Sequence, residues 1–299
     1  MAGAAILAAA GPLSAFKSRI SKASISAITD EIGKTQADAI DFAHQYGLSF
    51  VEVRNMPETG KEFAKMTEPE LKAAAIELAS AKLKVSFINT SMMKFTWPGI
   101  SALMNPATPV TPMNQKKWDS RKDDMANALM AANILGCDKV RVFTGTRLKD
   151  DPSRSYKLIV DTISEFIPMA EKAKVHLLIE NEYSQNIGNS PESRDILAML
   201  PSKTIGLNWD PGNAQVLKEV PWPGGYAVVP KDRILNIQFK AQNMLEGPDK
   251  MDWTAVLQAL EKDNYRYKLG LETHGNAAQR MEHAHASMEE MLHDVSKLD

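Results

Sequence analysis

Three carboxylates, Glu180, Asp210 and Glu272, each close a short apolar run: VHLLIE, IGLNWD and KLGLE. A charged side chain at the end of such a run is costly to bury unless the site uses it. Other runs end in the same way, on Glu52 and Arg54, on Asn89, on Arg141 and Thr144, and on Gln238 and Lys240. Asn181 and Glu182 follow Glu180, Asn208 precedes Asp210, and His274 follows Glu272. Grouped carboxylates can pass protons as general acid and base. As bare ions in a low dielectric they repel, unless they share a proton or a cation. A divalent cation would solve this, and oxygen ligands suit Mg²⁺ or Mn²⁺ better than zinc, which draws on His or Cys. The alternative is internal: Lys240 and Arg141 neutralise part of the charge.

The elements that must position these residues follow from periodicity. Strands are expected at 24–28, 50–53, 85–89, 139–143, 175–180, 205–209, 234–239 and 268–272. Between them, helical spacing appears near 35–46, 68–82, 115–135, 154–173, 191–199, 252–262 and 277–297. The stretch after the sixth strand carries no clear helical signal. Strands joined by helical crossovers run parallel, and eight such units predict an α/β fold of the (β/α)8 TIM barrel type. In a barrel the carboxyl ends of the strands share one mouth, which brings Glu180, Asp210 and Glu272 together. A doubly wound open sheet would carry a Gly-rich phosphate fingerprint after the first strand, but the chain reads Thr29-Asp30-Glu31 there. Neither GxGxxG nor GxxxxGK[ST] occurs, so nucleotide cofactors have no support.

The chain has 299 residues, 44% of them hydrophobic, and a formal charge of −2. With no basic run of five or more, it lacks the footprint of a nucleic-acid binder. Its single cysteine, Cys137, excludes an intrachain disulfide and a CxxC motif. Residues 1–23 are expected to be an N-terminal extension and 24–299 one barrel domain. The opening MAGAAILAAAGPLSA is too short to span a bilayer and ends in a small-x-small pattern, which fits the tail of an export signal and a periplasmic protein. It lacks the positive n-region, so a helical extension on a cytoplasmic protein stays open. The mature protein is expected to have no membrane segment, and a homo-oligomer is left open.

Two loops are longer than a connection requires. One, near 90–115, carries Lys94, Phe95 and Trp97; the other, near 213–233, carries PWPGGY around Trp222. Both follow strand ends, where Trp97 and Trp222 could cover a substrate, or else pack on the rim or a partner subunit.

The strings LLIENE (177–182), GLNWDPGNA (206–214), LNIQFKAQ (235–242) and LGLETHG (269–275) resemble the strand-end motifs of the xylose isomerase-like superfamily, in its sugar phosphate isomerase/epimerase branch. The resemblance covers nearly the whole chain after residue 24. It implies metal ligands at the ends of strands five to eight, which fall on Glu180, Asp210, Gln238 and Glu272. Two positions depart from the pattern. Asn213 stands where a histidine commonly follows the aspartate, and Gln238, before Phe239-Lys240, stands where the family commonly has His before x-Lys. A Gln carbonyl is a weaker donor than imidazole for a transition metal, which shifts the expectation toward Mg²⁺ or Mn²⁺. The same changes argue against the DNA-repair endonuclease branch, which needs a histidine-rich zinc cluster.

The implied chemistry is isomerisation or epimerisation of a sugar, begun by removing a proton next to a carbonyl to form an enediolate. Glu180 and Glu272 are expected as the acid/base pair, with Asp210 and Gln238 holding the ion. Lys240, Asn213 and His274 would orient hydroxyls, and Glu182 would add a substrate contact. No Gly-rich cradle follows strands seven and eight, which favours an unphosphorylated small-molecule sugar. A sugar or keto-sugar lyase or dehydratase on the same barrel, and a non-catalytic sugar-binding protein, remain open alternatives.

Overall fold

The computed structural model describes residues 18–240, 251–273 and 278–298. The signal-like stretch and His274 lie outside these. Eight strands form, β1 Ile25–Ala27, β2 Phe50–Val53, β3 Lys84–Ile88, β4 Lys139–Val142, β5 His176–Glu180, β6 Ile205–Trp209, β7 Ile234–Phe239 and β8 Lys268–Leu271. All neighbouring strands pair in parallel, in the order β1-β8-β7-β6-β5-β4-β3-β2. A parallel bridge between Ile28 and Glu52 joins β1 to β2 and completes the (β/α)8 barrel.

The crossover helices form where periodicity places them, with two divisions. The 115–135 segment is two helices, Pro112–Asp119 and Arg121–Leu135, meeting at Ser120. The 154–173 segment breaks into Tyr156–Ser164 and Ile167–Ala173, and Pro168, which has no N–H to donate, sits in the first turn of the second. Capping boxes at Thr35 with Asp38 and at Thr67 with Glu70 start the helices after β1 and β2. Barrel packing extends back beyond residue 24: Ile20 is buried, and Ser18, Arg19 and Ile20 all donate to the Glu261 carboxylate. Among the described residues no helix is long and apolar enough to cross a membrane.

The barrel interior is layered. Phe87, Leu178 and Leu235 form a separate apolar plug. Leu235 belongs to it because the β6–β7 register shifts: Leu207 pairs with Ile234 but Asn208 pairs with Asn236, which leaves Leu235 as the extra residue of a bulge. From there alternation puts Asn236, Gln238 and Lys240 on one face of β7, while Phe239 on the other face stacks on Trp253 at 4.3 Å. A polar layer lies beside the plug. In it Glu52 accepts from Ser26 (3.0 Å), Asn236 (3.1 Å), Asn89 (2.7 Å) and Gln238 (2.9 Å).

Candidate active site

Alternation along β5, β6 and β8 delivers Glu180, Asp210 and Glu272 to the same mouth, all essentially buried. Each meets a cation of the chain. The Arg141 guanidinium, on β4, lies 3.0 Å from Glu180 Oε2, and Asn208 donates to the same oxygen. Glu180 Oε1 has no hydrogen bond among the described residues. Arg141 is itself held by the backbone carbonyls of Thr90 (3.0 Å) and Asn89 (3.2 Å). Burial would lower its pKa, but Glu180 and Glu272 raise it above the ordinary arginine value, so it stays charged.

Asp210 caps the short helix Pro211–Val216. Its Oδ1 accepts from the Asn213 backbone N–H at 2.9 Å, and its Oδ2 from the Asn213 side chain at 2.8 Å and from Lys240 Nζ at 2.6 Å. Lys240 Nζ also reaches Glu272 Oε2 at 3.3 Å and Asn213 Oδ1 at 3.1 Å. Burial pushes the Asp210 carboxyl up, to about 7, with Glu180 and Glu272 acting in the same direction against Lys240. Burial works against the charge on Lys240, but Asp210, Glu272 and Glu180 overcome it and raise the ammonium above its usual pKa.

Arg54 was foreseen at a strand end, but not its partners. It joins Asp30 (3.0 Å) and Glu31 (2.9 Å), from the short helix Thr29–Ile32 after β1, to Glu272 Oε1 at 3.5 Å. Two acids directly after a strand, Asp30 and Glu31, are the sequence signal for these partners. Glu182 turns to Lys94 at 2.8 Å and to Ser184. Burial would raise its carboxyl, but Lys94 and then Lys240 hold it below the usual range.

The four expected metal ligands do not fit a common ion as arranged. Both Asp210 oxygens are taken, the Lys240 ammonium lies between Asp210 and Glu272, and Arg141 and Asn208 fill one oxygen of Glu180. Gln238 turns its side-chain nitrogen to Glu52 (2.9 Å) and Asn89 (3.3 Å), while its Oε1 is buried with no hydrogen-bond partner among the described residues, so the obstacle to an ion is the Lys240 ammonium and not Gln238. Among the described residues no group of three or more His, Cys, Asp and Glu side chains is placed to hold a metal ion.

The two tryptophans pack. Trp97 is fully buried, donates to the Met93 carbonyl at 3.0 Å and presses on Gly145, contacts that fold its loop. Trp222 is half-buried against Tyr226, with ring centroids 5.5 Å apart, at the rim.

A family model described as xylose isomerase-like TIM barrel matches residues 40–291. The chain belongs to this family. Among solved xylose isomerase-like and related barrels, one from Mycobacterium smegmatis, in complex with magnesium, superposes with a TM-score of 0.64 at 13% identity, over 92% of this chain and 99% of that one. The apo 3-keto-D-glucoside 4-epimerase of E. coli gives 0.65 at 11% identity, over 89% and 99%. A probable 3-DHS dehydratase of petrobactin synthesis from Bacillus anthracis gives 0.63 at 14%, over 89% and 98%. At these identities the likeness is one of fold. A search of curated proteins finds no match to this chain.

Proposed function

We propose that this chain is a carbohydrate isomerase or epimerase that removes a proton from a carbon next to a carbonyl and returns it. The observation that supports the reading is the pair of buried carboxylates, Glu180 and Glu272, the first held on Oε2 by Arg141 and the second placed between Lys240 and Arg54. A carboxylate fixed in this way is presented in one orientation, which is what a general base requires. Glu180 ends β5 and Glu272 follows β8, with two strands between them in the barrel, and the reading has them flank a carbon bound between them. Lys240, Arg141 and Arg54 supply the positive charge that the developing enediolate needs, so no step calls for a bound ion. In this reading Asn213, beside Lys240, and Glu182, beside Lys94, orient hydroxyls. The substrate class is an unphosphorylated sugar or sugar derivative.

The test is proton exchange in D₂O, followed by NMR against free ketoses, keto-sugars and glycosides. Deuterium entering at a carbon next to a carbonyl, with an isomer as product, supports the proposal. Loss of water or of an aglycone would make the protein a lyase or dehydratase. Saturable binding without exchange would make it a sugar-binding protein.

A further inference from the structure

Lys240 stands one residue beyond β7 and is buried, with its Nζ among oxygens from three elements: Asp210 after β6, Asn213 in the helix that Asp210 caps, and Glu272 after β8. Those contacts join the two carboxylates as a bound cation would. The family's pattern also has a lysine here; what this chain changes are the residues around it. Gln238 gives its nitrogen to Glu52 and Asn89, and Asn213 gives one side-chain atom to Asp210 and the other to Lys240.

We infer that the Lys240 ammonium is the permanent cation of this mouth and acts as the electrophile of the reaction, with no divalent ion taking part. The inference rests on the acid–base reading above and adds the group that stabilises the intermediate. Of the three Nζ contacts, that to Glu272 is the longest, and a substrate carbonyl oxygen can take it over. Glu272, with Arg54 still at its Oε1, then turns Oε2 to the neighbouring C–H bond. The proton passes to the Glu272 carboxylate, the C–H electron pair becomes the C=C bond of the enediolate, and the carbonyl π pair moves to the oxygen, where the Lys240 N–H holds it. Return of the proton from Glu272 to the adjacent carbon completes an isomerisation with no other reactant; return from Glu180 on the other side requires that Glu180 first take a proton from water and that Glu272 afterwards give its own back to water. A compact ammonium suits this better than a guanidinium, because its charge concentrates on one point.

The first measurement is independent of activity. EDTA-dialysed full-length protein is titrated with Mn²⁺ alone, and the free ion is followed by EPR. Binding no tighter than about 1 mM is expected, the weak end of oxygen-ligand sites. A stoichiometric ion held at micromolar Mn²⁺ overturns the inference whether or not a substrate has been found. The second measurement uses the exchange assay. EDTA treatment should leave turnover unchanged, and Lys240→Met should lower it about 10²–10³-fold, as loss of a preorganised oxyanion donor does. Lys240→Arg, which keeps the charge and therefore the fold, should remain impaired in kcat with the same melting temperature. Turnover abolished by EDTA and restored by Mn²⁺, or full activity in a folded Lys240→Met, would refute it. If no sugar is turned over at all, the acid–base reading fails while the Mn²⁺ result still stands.

Discussion

Gln238 donates its side-chain amide to Glu52 across the barrel, 2.9 Å from Nε2 to Oε2. Glu52 is completely buried, and its other bonds come from Ser26, Asn89 and Asn236. Burial raises its carboxyl pKa, and the four donors act against that rise. The contact fixes the Gln238 nitrogen: turning it outward would strip a donor from a carboxylate that has no ion pair among the described residues. The polar layer also reaches the candidate base, because Asn236 donates to Asn208 at 3.0 Å and Asn208 to Glu180.

Gly270 makes room for Glu52. A Cβ at 270 would lie 2.0 Å from Glu52 Oε1 and 2.6 Å from its Cδ. Gly270→Ala should therefore destabilise the protein by about 1–3 kcal/mol, as overpacking does, and disturb the bonds to Gln238 and Asn236. Gly224, where an added Cβ meets nothing within 4 Å, is the control, and Gly224→Ala should change stability by less than about 0.5 kcal/mol. Urea unfolding of the two variants compares them directly. Equal stabilities would mean that Glu52 can move away without loss.

Glu62 ties the loop after β2 to the loop after β3. Its carboxylate accepts from the Ser91 hydroxyl at 2.8 Å and from the Ser91 backbone, and it pairs with Lys65 at 2.7 Å. Burial would raise its pKa, but Lys65 and Ser91 lower it below the ordinary glutamate value. A depressed folded-state pKa contributes stability that is fully present above the unfolded value of about 4.3 and is lost as the pH falls through the folded one. The gap in stability between the wild type and Glu62→Gln should be constant from about pH 6 to 8 and shrink below about pH 4. Denaturant midpoints across that range measure it, and a gap that widens on acidification would show the sign to be wrong.

The strand ends were legible because β5, β6 and β8 are short apolar runs closed by an acid, a pattern that survives whatever the neighbours are. The strand bounds agree to within about a residue at each end for the same reason. What could not be read were contacts between residues distant in sequence that depend on side-chain direction. Lys240 and Arg141 had been weighed as neutralisers, but nothing local says that the ammonium bridges Asp210 to Glu272, or that Arg54 links Glu31 to Glu272. The inward turn of Gln238 depends on Glu52, 186 residues away. The helix division at Ser120 carries no local mark, because neither glycine nor proline stands there and residues 119–124 are all polar.

Trp97 separates packing from recognition. Its ring is enclosed, 5.7 Å from Trp118 by centroid and against Gly145, and its N–H is spent on Met93. Trp97→Ala should cost about 3–5 kcal/mol of stability, the usual range for emptying an aromatic site. Trp97→Phe, which fills most of the space, should lower the melting temperature while leaving KM within about twofold. A large rise in KM at unchanged stability would place the indole in the substrate's path after all.

Glu180 and Arg141 provide the sharpest test of the candidate base. Removing the proton-accepting carboxylate by Glu180→Gln or Glu272→Gln should lower turnover about 10²–10⁴-fold while substrate binding suffers less, since proton-transfer groups contribute that much. Arg141→Met leaves a buried carboxylate without its guanidinium, 3.0 Å away in the wild type, and should destabilise the fold by about 3–5 kcal/mol. The double variant Arg141→Met/Glu180→Gln carries no uncompensated charge, so it should recover part of that stability while remaining inactive. The cycle thus splits the two effects: stability follows the balance of charge and recovers in the double variant, whereas turnover does not recover once the Glu180 carboxylate is gone. Strict additivity of the two losses in stability would show that the pair is not coupled, and near-normal turnover in Glu180→Gln would remove Glu180 from the chemistry.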